Sequence, residues 1–187
     1  MKIDRKLNLI VPVERDDGGM VHIHATPVSK ETFAKHFKII SKTYTEIFKE
    51  GAAYIASAGS KVAMLMLRKV AAEEGINANE LMTEIRRLSN IIVSGENGWE
   101  SIPLSVGIQR GLIDEDDIDD AEGQIVFFIC CSAMIAKKDL SSLMETICGF
   151  FGSQTVSSTC TEFAASLPIL TQEENTTESK PDSSLPA

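Results

Sequence analysis

Seven acids, Asp114, Glu115, Asp116, Asp117, Asp119, Asp120 and Glu122, lead directly into the most apolar stretch of the chain, Ile125 to Ile135, interrupted only by Ser132. This junction constrains the fold more than any other feature. The apolar run is well short of the about 20 residues that a membrane span needs, so it is expected to be a helix buried in a protein core. Acids in a first turn are stabilised by the positive end of the helix dipole, and Lys137-Lys138 suit the negative end. A long helix starting at Asp114 follows, with a local reason for its charge.

The same run divides the chain electrically. Residues 1–113 carry 15 basic and 13 acidic side chains, whereas residues 114–187 carry 3 and 14. The net charge of −9 and pI near 4.9 exclude a nucleic-acid backbone as the main partner, because phosphate binding needs an excess of Lys and Arg. An anionic membrane surface is disfavoured for the same reason. A basic partner protein could use the acidic face. The N-terminal Met1-Lys2-Ile3-Asp4-Arg5-Lys6 is followed by no apolar segment of the kind a signal peptide has.

Leu7–Val13 reads as a strand and Met20–Ala25 as its hairpin partner, joined through Asp17-Gly18-Gly19, which supplies the positive φ of a tight turn. Pro12 cannot donate to a ladder, which makes its strand an edge. This hairpin is expected to be the only substantial β element. Ser29 then caps a helix with Phe33, Phe37, Ile40, Tyr44, Ile47 and Phe48 on one stripe, broken by Gly51. A second helix opens at Ser57–Ser60 with Val62, Leu65, Met66, Lys69 and Val70. Met64 and Leu67 make it apolar on more than one face, hence central, and Gly75 ends it. Asn77-Ala78-Asn79-Glu80 has the form of a capping box for a third helix carrying Leu81, Ile85, Leu88 and Ile92, closed by Gly95 and Gly98. Residues 96–103 read as a loop and 104–109 as a short helix ended by Gly111. Beyond the acidic helix, Asp139 can cap a helix with Leu140, Leu143, Met144, Ile147 and Phe150 on one face. Thr159-Cys160-Thr161-Glu162 opens a final short helix that Pro168 stops.

The sequence therefore predicts a mainly α fold: an N-terminal β-hairpin over 1–28, a helical domain over 29–170, and a disordered acidic tail over 171–187. The tail is polar, acidic and nearly free of bulky aliphatics, too poor in apolar surface to offset ordering.

Chemistry-bearing constellations are weak. Cys130, Cys131, Cys148 and Cys160 form no CxxC and read as four reduced, buried thiols. His22 and His24 share a strand face, but no third ligand at a matching spacing completes a metal site. His36 stands alone. A calcium loop fails on register: counting from Asp114 puts Ile118 at position five and Asp119 at six, and counting from Asp117 puts Ala121 and Glu122 there. There is no phosphate loop, no nucleophile elbow around Ser153 and no dinucleotide fingerprint. The expectation is a non-enzymatic binding protein without cofactor or metal. Its candidate partner contacts are Trp99, the only tryptophan, set either on the core or toward a partner, and the acids Asp114, Glu115, Asp116 and Asp117.

Several segments carry a further signal: residues 1–9, His24-Ala25-Thr26-Pro27, residues 81–88, residues 97–104, Gly111–Asp117, Ala121-Glu122 with Phe127-Phe128, and residues 159–168. Together they resemble the tail assembly chaperones of long-tailed bacteriophages and prophages, over about residues 1–168. The resemblance implies a protein of the host bacterial cytoplasm, absent from the mature virion. Such a protein binds and solubilises the long helical tape-measure protein and helps recruit tail-tube subunits, alone or as a homo-oligomer. The alternatives are a structural or completion protein of the tail and a small phage regulatory protein that binds a host factor.

Overall fold

Alternation of apolar residues in Leu9, Val11, Val13 and in Val21, Ile23, Ala25 gives the N-terminal hairpin one wholly apolar face. The computed structural model describes residues 7–15, 18–49, 61–95, 98–150 and 152–168. In it the hairpin strands β1 (Asn8–Glu14) and β2 (Met20–Ala25) are the centre of an antiparallel sheet and not an isolated element. Strand β3 (Ser89–Gly95) pairs with β2, β4 (Gly98–Pro103) pairs with β3, and the short β5 (Gln154–Val156) pairs with β1, in the order β4-β3-β2-β1-β5. The mainly α expectation is thereby corrected: the fold combines this five-stranded sheet with eight helices among the described residues.

The correction has an identifiable source. The helix read through Ile92 stops at Arg87, because Ile91-Ile92-Val93 is a β-branched run that fits a strand better than a helix. Residues 98–103, read as loop, pair back on it through Ser94↔Trp99 and Ile91↔Ile102. Pro12 is accommodated as the sequence requires, although β1 is interior over part of its length. Strand β5 covers only Asn8, Leu9 and Ile10, and Pro12 lies beyond it.

The helices are α1 (Lys30–Lys35), α2 (Phe37–Lys49), α3 (Lys61–Glu74), α4 (Asn79–Arg87), α5 (Leu104–Gln109), α6 (Glu115–Met134), α7 (Lys137–Phe150) and α8 (Cys160–Ser166). Ser29 caps α1, its Oγ accepting from the Thr32 amide at 3.0 Å. The single helix expected from Phe33 to Phe48 is divided at His36, and Phe37, expected on the buried stripe, is exposed. The capping box expected at Asn77 does not form. Ala78 holds the cap position, and Asn77 Oδ1 instead accepts from the Asn79 amide. Helix α6 ends at Met134, so Lys137 opens the next helix, and Asp139 falls in the first turn of α7 and not at its cap. The expected breaks at Gly51 and Ser57–Ser60, and the tail 171–187, lie outside the described residues.

The main core lies on one face of the sheet, where Leu9, Val11, Val21, Ile23 and Ile91 meet α6. Helix α6 is buried on most sides from Ala121 to Cys131, through Ile125, Phe127, Phe128 and Ile129, as the apolar run predicts. Helix α3 packs against both α2 and α6, burying Val62, Met64, Leu67 and Val70. Its central position agrees with its two apolar faces, although Leu65 points outward. Gly107 of α5 lies so close to β3 that a Cβ there would stand 2.5 Å from Ile91 Cγ2.

Candidate functional site

The residues that alternate with the core set face the other side of the sheet, and they differ in chemistry. This outer face carries Asn8, Ile10 and Pro12 on β1, His22 and His24 on β2, Asn90 and Ile92 on β3, and Trp99 and Ser101 on β4. Register places Ile10 and Asn90 either side of His24, and Pro12 and Ile92 either side of His22. Two amides and two imidazoles thus sit where the inner face of the same strands carries mainly hydrocarbon, with Ser89 its buried polar residue.

A single short helix, α8, covers this face. Its first turn is fixed by the predicted capping box: Thr159 Oγ1 accepts from the Glu162 amide, and the Glu162 carboxylate accepts from the Thr159 amide at 2.8 Å. That box turns Phe163 and Ala164 onto Ile10 and Ile92 in a second, smaller apolar cluster, with Trp99, Cys160, Val156 and Leu167 around it. The polar ties are few. The Ser158 carbonyl accepts from Asn8 Nδ2 at 2.9 Å and meets His24 Nε2 at 3.2 Å. Trp99 Nε1 donates to the Pro168 carbonyl at 2.8 Å, and Ser101 Oγ and Cys160 Sγ are 2.9 Å apart. The His22 ring stands edge-on to both Trp99 and Phe163, with centroids 5.5 and 5.7 Å away.

Burial favours the neutral form of the groups it shifts here. It lowers the His22 pKa, because a charged imidazole would lose hydration between two aromatic rings. It raises the Cys160 pKa, an effect partly opposed by the hydrogen bond shared with Ser101. Cys160 is therefore held as a thiol, unsuited to nucleophilic attack. Where the segment leading into α8 crosses the sheet, a hollow of about 260 Å³ remains, lined by Asn8, His24, Thr26, Asn90, Ser157, Thr159 and Cys160. No group of three or more His, Cys, Asp or Glu placed to hold a metal ion occurs among the described residues.

The structure separates the partner contacts expected from sequence. Trp99 belongs to the outer-face cluster, half-buried against His22 and tied to Pro168. The acidic run belongs to the helical side, since its neighbours Ile113 and Ile118 pack into the main core. Asp114 caps α6, accepting from the Asp117 amide at 2.8 Å. Glu115 and Asp116 lie in the first turn, with side chains outside the described set. Further along, Asp119 faces Arg68 at 3.6 Å, and the buried Glu122 takes both Nε and Nη2 of Arg86, the latter at 3.1 Å. Sequence reasoning missed Asn8, Thr26 and Asn90, which become neighbours only across strands. The shared face of His22 and His24, and Trp99 as a candidate contact, were the signals that pointed to this side of the sheet.

No family model matches the chain, and no curated protein or solved structure is significantly similar to it. No helix among the described residues is long and apolar enough to cross a membrane.

Proposed function

We propose that this chain is a non-enzymatic tail assembly chaperone that binds the tape-measure protein of a long-tailed phage, keeps it soluble and helps bring tail-tube subunits to it. It would work in the host bacterial cytoplasm and be missing from the finished virion. The observation that supports this reading most is where four of the seven segments carrying the resemblance meet in the fold, the other three lying in α4, the turn after α5 and α6 on the helical side. Residues 7–9, 24–27, 98–103 and 159–168 supply β1, the end of β2, β4 and α8. They converge on the outer face of the sheet, and they contribute Asn8, His24, Thr26, Thr159 and Cys160 to its hollow and Trp99 to its apolar cluster. A surface assembled from those segments is the place to look for a shared role. The strong negative charge favours keeping a client complex in solution. Exposed Phe37, Leu65 and Met134 add apolar surface on the helical side.

Co-expression with a tape-measure protein from the same genome tests the proposal. The expected result is that the tape measure becomes soluble and co-purifies with the chain, and that mass spectrometry of purified virions finds none of the chain. A tape measure that still precipitates alone, or this chain present in stoichiometric amount in virions, would overturn it in favour of a structural tail protein.

A further inference from the structure

We propose that the outer face of the sheet is a seat for an amphipathic helix of the client protein, and that α8 is the chain's own, displaceable occupant of it. The inference rests on the chaperone reading only for the identity of the partner. The seat itself is argued from geometry.

The occupant shows what the seat recognises. Cys160, Phe163, Ala164 and Leu167 follow the spacing i, i+3, i+4, i+7, the pattern by which a helix lays one face into a groove. With seven residues, α8 is too short to be stable alone. It is helical because Ile10 and Ile92 receive it. Yet the contact is incomplete at its entry: the Ser158 carbonyl ties the lead-in segment to Asn8 and His24, but a hollow of about 260 Å³ lined by Asn8, His24, Ser157 and Thr159 lies beside that tie. Five buried side-chain polar atoms among the described residues have no hydrogen-bond partner, and three of them, Asn8 Oδ1, His22 Nδ1 and His24 Nδ1, lie on this face. Buried polar atoms without partners oppose closure, since water would satisfy them once the cover lifts. The seat is also longer than its occupant: β2 continues on the same face to Met20, which is exposed, and Pro12 is half-buried beside His22. A client helix of three or more turns would cover Met20 and Pro12 as well as the ground that α8 holds.

The Ser101–Cys160 contact supplies the test. Ser101→Cys places two thiols where oxidation links α8 to β4. A fluorescein-labelled peptide copying residues 157–168 serves as the probe helix, read by fluorescence anisotropy. The expected result is at least a tenfold loss of peptide binding on oxidation, restored by reductant, and loss of tape-measure solubilisation in parallel. Native-state hydrogen exchange on the unmodified chain provides a readout that needs no variant: amides of 163–166 should exchange at least 100-fold faster than those of 125–129. Peptide binding unchanged by the crosslink, no binding at all, or α8 amides as protected as those of α6 would overturn the proposal. An oxidised variant that still solubilises the tape measure would also overturn it, while leaving the chaperone reading intact.

Discussion

The two faces of the sheet are built from the same strands yet closed in different ways. On the inner face, Leu9, Val11, Val21, Ile23 and Ile91 are almost wholly removed from water and meet the long, apolar α6. On the outer face, amides and imidazoles alternate with two isoleucines beneath a helix of seven residues. Close-packed hydrocarbon closes without directional partners, whereas each polar group needs one. The outer face relies on two backbone carbonyls, Ser158 and Pro168, to provide them. The inner face is thus closed by packing alone, and the outer face by a small apolar cluster and a few directional contacts.

Truncation on each face should break or sharpen this contrast most directly. Phe128→Ala removes a fully buried ring from the inner core and should lower the unfolding free energy in urea by about 3–5 kcal/mol. Phe163→Ala should cost well under that, because α8 can detach without global unfolding. Equal losses would erase the distinction. Next in size is Arg86→Ala, which strands the buried Glu122 carboxylate on α6. With Arg86 itself half-exposed, an expected loss of about 1–3 kcal/mol follows from leaving the buried carboxylate without its partner, and near-neutral behaviour in the same denaturation assay would show that α4 does not anchor the helical side. Gly107→Ala drives a methyl into Ile91, so thermal unfolding should report about 1–3 kcal/mol of overpacking; a stabilised variant would mean that α5 is loosely seated on the inner face.

Two smaller effects belong to the outer face. Trp99→Phe keeps a ring beside His22 but removes the donor to Pro168. A loss of about 0.5–1.5 kcal/mol, with faster exchange of α8 amides, is expected, and unchanged exchange would remove Trp99 from the ties that hold the cover. The smallest effect is a pH dependence. Burial holds the folded-state pKa of His22 below its ordinary value, so the unfolded chain binds the proton first as pH falls. The stability is fully present above about pH 6.5 and declines below it toward the lowered folded value. His22→Phe should flatten that part of the profile, and an unchanged slope would assign it to another group.

Much of the local structure was legible in the residues. The hairpin followed from alternation around Asp-Gly-Gly, α6 from Asp114 and the apolar run, α5 from its flanking turn at Gly111, and α8 from Thr159 and Glu162. Each depends on neighbours within a few positions. The errors arose where local signals were ambiguous. Leu81, Ile85, Leu88 and Ile92 keep helical spacing, so the turn from α4 into β3 was hidden by a period that both elements satisfy at their junction. Strand β4 reads as polar loop because it lies at the sheet edge, where alternation is weak. Strand β5, at three residues, is too short to carry a pattern.

The sequence by itself determined which segments are amphipathic, where several helices begin, and that an acidic chain with one long apolar run must bury that run. Tertiary structure alone decided that the hairpin is the middle of a sheet and that Asn8, His24, Asn90 and Cys160 share one hollow. The physical reason is range. Capping and periodicity are set by contacts three or four residues apart, whereas the outer face is made by pairing between strands about 65 to 150 positions distant in the chain, whose register is fixed by burial of the opposite face.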